Sequence, residues 1–165
     1  MSPLRIALLG FGTVGTSVVH RLTHTDGVHN LLLTRIFDRR ADVKRLAHGE
    51  LRDVAWTTRM DEVLCSDADV IVETVGGVEP AAEWIRAALL AGMSVVTANK
   101  QVIARDGEHL QRLAARQGCH LVAIARDRSA IVPPRVLSRP QTILGFEAPL
   151  DFSLQALDFS LAEAV

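Results

Sequence analysis

The chemistry this chain can perform is concentrated in three short stretches. The first is Gly10-Phe11-Gly12-Thr13-Val14-Gly15, a G-x-G-x-x-G turn between an apolar run, Leu4 to Leu9, and a helix-period segment marked by Val14, Val18 and Leu22. Such a turn suits an anion. The first glycine allows the tight bend, the second lets a pyrophosphate approach the backbone, and the third lets helix and strand pack closely. The helix N-terminus then presents free N–H groups and a partial positive charge.

The second stretch is Asp38-Arg39-Arg40, which closes the next apolar run, Leu31 to Phe37. An acid there can bond the adenosine ribose hydroxyls of NAD. A guanidinium there suits the 2′-phosphate of NADP instead. The acid argues for one cofactor and the arginines for the other, so the sequence leaves NAD and NADP both open.

The third comprises two segments at the carboxyl ends of later runs: Thr74-Val75-Gly76-Gly77 and Thr97-Ala98-Asn99-Lys100. In an open parallel sheet this edge is where ligands sit. Of the 18 basic residues, only Lys44 and Lys100 are lysine. Arginine holds its proton at any accessible pH, whereas lysine can release one. Lys100 is therefore the candidate for proton chemistry.

Positioning these residues requires alternating strands and helices. Apolar runs at Leu4–Leu9, Leu31–Phe37, Asp69–Thr74, Ser94–Thr97 and His120–Ala125 predict five strands. The segments between predict helices over Ala41–His48, Asp61–Cys65, Pro80 to Gly92, and Glu108–Gln117, the last beginning after a break at Gly107. The pattern predicts βαβ units and a parallel sheet over residues 1–125.

Composition narrows the function classes. With 165 residues and 48% hydrophobic content, the chain is long enough for one domain with a real core. A net charge of −1 offers no footprint for nucleic acid or an anionic membrane, and 4% aromatics without tyrosine give no base-stacking platform. The longest near-apolar stretch, Ala87 to Val96, is too short to span a bilayer. Cys65 and Cys119 have no partner at metal or disulfide spacing, so both are expected to be buried, inert thiols of a protein in the reducing cytoplasm.

The series G-F-G-T-V-G, V-E-T-V-G-G-x-E-P-A and V-V-T-A-N-K, followed by A-x-x-G-x-x-L, resembles homoserine dehydrogenase, specifically that family's N-terminal nucleotide-binding domain, over residues 4–121. The resemblance implies an α/β fold, a Rossmann-type doubly wound parallel sheet. It also implies reversible hydride transfer between a nicotinamide dinucleotide, NAD or NADP, and L-homoserine or aspartate 4-semialdehyde, in threonine and methionine synthesis. By the same resemblance Thr74, Val75, Gly76, Gly77, Thr97 and Asn99 line the nicotinamide side. Lys100 then reaches the reacting oxygen as proton donor or electrostatic stabiliser.

The likeness stops near residue 122. The family continues into Glu-Ala-x-Val-x-Gly-Gly-x-Pro, but here Ile124 stands where the glutamate belongs, and Arg128 and Ser129 stand where the glycines belong. Residues 126–139 carry Arg126, Arg128, Arg135 and Arg139 against Asp127 alone, and from Pro140 onward there are acids but no base. The stretch 126–165 is thus expected to be an irregular tail, non-native or disordered, of a truncated reading frame. Alone, such a chain is expected to turn over little, to self-associate through exposed apolar surface, and to need another chain to hold an amino-acid substrate. The alternative from another class is a non-catalytic dinucleotide-binding or interaction module.

Overall fold

Runs of Leu, Ile and Val too short for helices and apolar on both faces form the centre of the molecule. β1 (Leu4–Leu9) and β4 (Val70–Glu73) are the clearest cases, and the four residues of β4 are all buried. The computed structural model describes residues 2–24 and 30–124. Within them β2 (Leu31–Phe37), β3 (Ala55–Thr57), β5 (Ser94–Thr97) and β6 (Leu121–Ala123) complete a six-stranded sheet, all parallel, in the order β3-β2-β1-β4-β5-β6. This is a doubly wound Rossmann order, and the α/β fold class is the one the resemblance implies.

The chain moves outward from β1 through β2 to β3, then returns to pair β4 with β1. The topological switch point therefore lies between β1 and β4. Right-handed crossovers put α1 (Thr13–His24) and α2 (Ala41–Ala47) on one face, and α4 (Ala81–Leu90) and α5 (Lys100–Gln117) on the other. Alternation along the strands feeds both layers. Ala7, Leu9, Ile71 and Val95 join Ile85, Leu89, Val102 and Leu110 of α4 and α5 in one core. Ile6, Leu8, Val70, Val72 and Val96 are buried toward the opposite face, as are Val18 and Val19 of α1.

Two expectations need correction. The sheet has a sixth strand, β3, whose three residues Ala55–Thr57 carry too short a pattern to read; it exists because Arg35, Ile36 and Phe37 of β2 offer it a free edge. The last helix does not start after Gly107 but at Lys100. The Asn99 side chain caps it by accepting the Val102 N–H at 3.2 Å, and Gly118 ends it in the left-handed region at φ 68°. A glycine inside a helix costs only about 1 kcal/mol relative to alanine, which a capped helix with a buried face absorbs. The short helix expected at Asp61–Cys65 is present as α3 (Met60–Leu64). The predicted tail, 126–165, lies outside the described residues. Among those described, no helix is long and apolar enough to cross a membrane.

Candidate functional site

The carboxyl ends of four neighbouring strands are level. Phe37 pairs with Leu9, Leu9 with Glu73, and Glu73 with Thr97. Everything the sequence singles out follows one of these residues, so the sheet register brings the three stretches onto one edge.

At the switch point, Gly10 leaves β1 at φ 93° and donates its N–H to the Phe37 carbonyl at 2.8 Å. That positive φ favours glycine over any side chain. The chain then turns directly into α1. A Cβ on Gly15 would lie 2.0 Å from the carbonyl oxygen of Gly10, so helix and strand meet here at backbone distance. Thr74 locks the turn from the neighbouring strand end. Its hydroxyl donates to the Gly10 carbonyl at 2.8 Å, and its N–H donates to the Leu9 carbonyl at 2.8 Å.

Gly12 is different. Nothing lies within 4 Å of where its Cβ would be, and the first hydrogen bond of the helix runs from Thr16 N–H to the Gly12 carbonyl at 2.8 Å. The amides of Thr13, Val14 and Gly15 precede that bond, at the N-terminal end of α1. Open space above a glycine backbone, beside unpaired helix N–H groups, fits a pyrophosphate. Phe11 points the other way. Its ring is buried and meets His48 and Trp56 edge-on, with centroids 4.9 and 5.0 Å apart. It contributes its backbone to the turn.

Asp38 stands at the end of β2 as expected, but its carboxylate is already engaged. Oδ2 accepts the Phe11 N–H at 3.0 Å and the Lys44 ammonium at 2.6 Å, and Oδ1 accepts the Arg40 N–H at 2.8 Å. Burial alone would raise this carboxyl. The Lys44 hydrogen bond, the Arg40 and Phe11 amides and the Lys44 charge outweigh it, and the group titrates below its ordinary value. Lys44 also donates to the Phe11 carbonyl at 2.6 Å, joining α2 to the glycine turn. The side chains of Arg39 and Arg40 are exposed beside this pair. Sequence reasoning missed Lys44 here; its signal was its rarity and its position one helical turn beyond Arg40.

On the other side of the switch point, Thr74, Val75, Gly76 and Gly77 form a loop in which both glycines have positive φ, 74° and 73°. Glu73 holds it. Fully buried, it accepts the N–H of Val75 at 2.7 Å and of Gly76 at 3.2 Å on one oxygen, and the Thr97 hydroxyl on the other. Thr97 Oγ1 accepts the Asn99 N–H at 3.0 Å, and the Asn99 side-chain amide donates to the Gly77 carbonyl. Asn99 thus caps α5 and ties the glycine loop to it. Lys100 begins that helix and is exposed just beyond the carboxyl end of β5. Glu73 is the second functional candidate that sequence reasoning passed over.

The cysteines divide. Cys119 is buried as expected, and burial pushes its thiol up, whereas Cys65 is exposed at the end of α3. The expectation of two buried thiols fails because the Cys65 position follows the last helical residue, outside the packed face.

Comparison with known proteins identifies this architecture. A family model described as "Homoserine dehydrogenase, NAD binding domain" matches residues 10–124. The homoserine dehydrogenase of Lactococcus lactis is 35% identical over an alignment covering 73% of this chain and 29% of that protein. That of Corynebacterium glutamicum is 31% identical over 98% of this chain, so the alignment takes in residues beyond 125, and 39% of its own length. A crystal structure of the Staphylococcus aureus homoserine dehydrogenase superposes with a TM-score of 0.64 at 35% identity, covering 74% of this chain and 33% of that one. The chain therefore spans between a quarter and two fifths of the length of these relatives. With its six-stranded parallel sheet and its glycine turn locked by Thr74 at the switch point, the chain belongs to the homoserine dehydrogenase NAD-binding domain family, an oxidoreductase family with a nicotinamide dinucleotide cofactor.

Proposed function

We propose that this chain serves the homoserine dehydrogenase reaction, hydride transfer between NAD or NADP and L-homoserine or aspartate 4-semialdehyde, in threonine and methionine synthesis in the cytoplasm. Gly10, Phe11, Gly12, Thr13, Val14 and Gly15 form the turn that holds the pyrophosphate; the amides of Thr13, Val14 and Gly15 reach it, while those of Gly10 and Phe11 shape the turn through Phe37 and Asp38. Asp38, Arg39 and Arg40 face the adenosine ribose. Thr74 to Gly77, with Thr97 and Asn99, hold the nicotinamide end. A bound nicotinamide supplies the hydride acceptor or donor. Lys100, exposed beyond the carboxyl end of β5, holds a proton or a positive charge at the reacting oxygen.

The observation that carries this reading is the level edge Phe37–Leu9–Glu73–Thr97, which sets the glycine turn between the ribose corner and the Lys100 segment. Hydride transfer also needs the substrate held against the nicotinamide. We assign that task to groups outside residues 2–124.

One observation favours a non-catalytic dinucleotide-binding module. Ile124, whose N–H donates to the Thr97 carbonyl at 2.9 Å, brings an apolar side chain where the family places a glutamate. The test is to titrate the purified chain with NADH and NADPH, following energy transfer from Trp56 and Trp84, and then to assay homoserine oxidation with and without a full-length relative. Nucleotide binding with activity that rises on complementation supports the enzymatic reading. Binding with no activity in either case supports the module. Absence of nucleotide binding refutes both.

A further inference from the structure

Glu73 has 0% exposure, yet no ion pair among the described residues includes it. A buried carboxylate is costly unless a cation or a full set of donors compensates it. Its donors are the amides of Val75 and Gly76 and the hydroxyl of Thr97, and all three treat it as an acceptor. Thr97 Oγ1 also accepts the Asn99 N–H, so the same hydroxyl joins Glu73 to the start of α5. The nearby positive contribution is the N-terminal end of α5. Glu73 is thus a carboxyl group that accepts three hydrogen bonds directly beneath the Thr74–Gly77 loop, with no cationic side chain paired to it among the described residues.

Lacing that loop does not require a charge. A glutamine could accept both amides equally well. The ligand proposed for this edge changes charge on turnover: the oxidised nicotinamide ring is a pyridinium, and the reduced dihydropyridine ring is neutral.

We propose that Glu73 is the charge complement of the oxidised nicotinamide, favouring the pyridinium form of the bound cofactor over neutral rings of the same shape. This rests on the reading that the Thr74–Gly77 edge takes the nicotinamide. The expected preference is on the order of tenfold, as for unit charges roughly 10 Å apart at an effective dielectric of about 20.

The test uses the full 165-residue chain and calorimetric titration with four probes: NAD⁺, NADH, ADP-ribose, and the neutral isostere of NAD⁺ in which a benzamide ring replaces the pyridinium. The 2′-phosphorylated forms of the first three are run in parallel. ADP-ribose lacks the ring and reports the glycine turn alone. Wild type should bind NAD⁺ about tenfold more tightly than the isostere. In Glu73→Gln that preference should collapse toward unity while ADP-ribose affinity stays unchanged. Persistence of the preference in Glu73→Gln overturns the proposal, as does equal binding of NAD⁺ and isostere by wild type. If Glu73→Gln does not fold, the wild-type comparison decides alone: a clear preference supports the proposal and parity overturns it. Binding of ADP-ribose without ring discrimination refutes the charge role only. Failure of every probe, ADP-ribose included, refutes the nucleotide site itself.

Discussion

Gly15→Ala and Gly12→Ala add the same methyl three residues apart, and they should fail in different ways. At Gly15 the new Cβ would stand 2.0 Å from the Gly10 carbonyl oxygen, 3.0 Å from its carbon and 3.1 Å from Thr74 Oγ1. The nearest atom is backbone, so no side chain can rotate away. Relief requires α1 to lift off the β1–β4 switch point, which also breaks the Thr74–Gly10 hydrogen bond. Overpacking costs about 1–3 kcal/mol, and a backbone clash belongs at the upper end. For a chain of this size, about 3 kcal/mol lowers the melting temperature by roughly 10 °C. At Gly12 nothing lies within 4 Å of the added methyl, and φ is not positive. Alanine there should leave the melting temperature within about 2 °C of wild type, helped by the lower entropy of its unfolded chain. Its methyl would occupy the space assigned to the pyrophosphate, so NADH affinity should fall about tenfold or more. Thermal melting by circular dichroism and NADH titration read the two effects separately. A Gly15→Ala protein that melts and binds like wild type would refute the close-approach argument. A Gly12→Ala protein with wild-type NADH affinity would remove the pyrophosphate from this turn.

Three further outcomes follow from the ribose corner and the cysteines. Lys44→Met leaves the Asp38 charge unneutralised beside the ribose, so NADPH affinity should drop about tenfold relative to NADH; an unchanged ratio would show that Lys44 does not influence the choice. Because the folded state depresses the Asp38 carboxyl, its stabilising contribution is present above the ordinary aspartate range. It is lost as pH falls through the lower folded value, so Asp38→Asn should flatten the loss of stability below about pH 4, and an unaltered acid limb in urea melts would contradict this. A thiol reagent at pH 8 should label the exposed Cys65 rapidly and the buried, upshifted Cys119 only on unfolding, with one thiol titrated natively and two in denaturant.

How much of this was legible beforehand varies with the range of the forces involved. The G-x-G-x-x-G turn and the apolar runs of β1, β2, β4 and β5 are local: glycine is demanded by φ at Gly10 and by contact at Gly15, and strand burial leaves a continuous hydrophobic signature. β3 has no such signature. Its three residues pair because β2 presents an open edge. The first half of α5 was hidden by Gly107, since a local helix breaker reads the same whether or not the segment is capped and buried. The short helix at 60–64 was readable, whereas the exposure of Cys65 just beyond it was not.

The site divides along the same line. Sequence by itself determined which residues gather at the carboxyl edge of the sheet, because they lie at or directly after the ends of strands whose direction the βαβ pattern dictates. Only the tertiary structure decided what those residues are already bonded to. Lys44 meets Asp38 because α2 folds back over the end of β2, and Glu73 loses all solvent because β1 and β5 close on both sides of β4. Pairing and burial of charge depend on contacts between segments far apart in the chain. No reading of neighbours along the sequence could supply them.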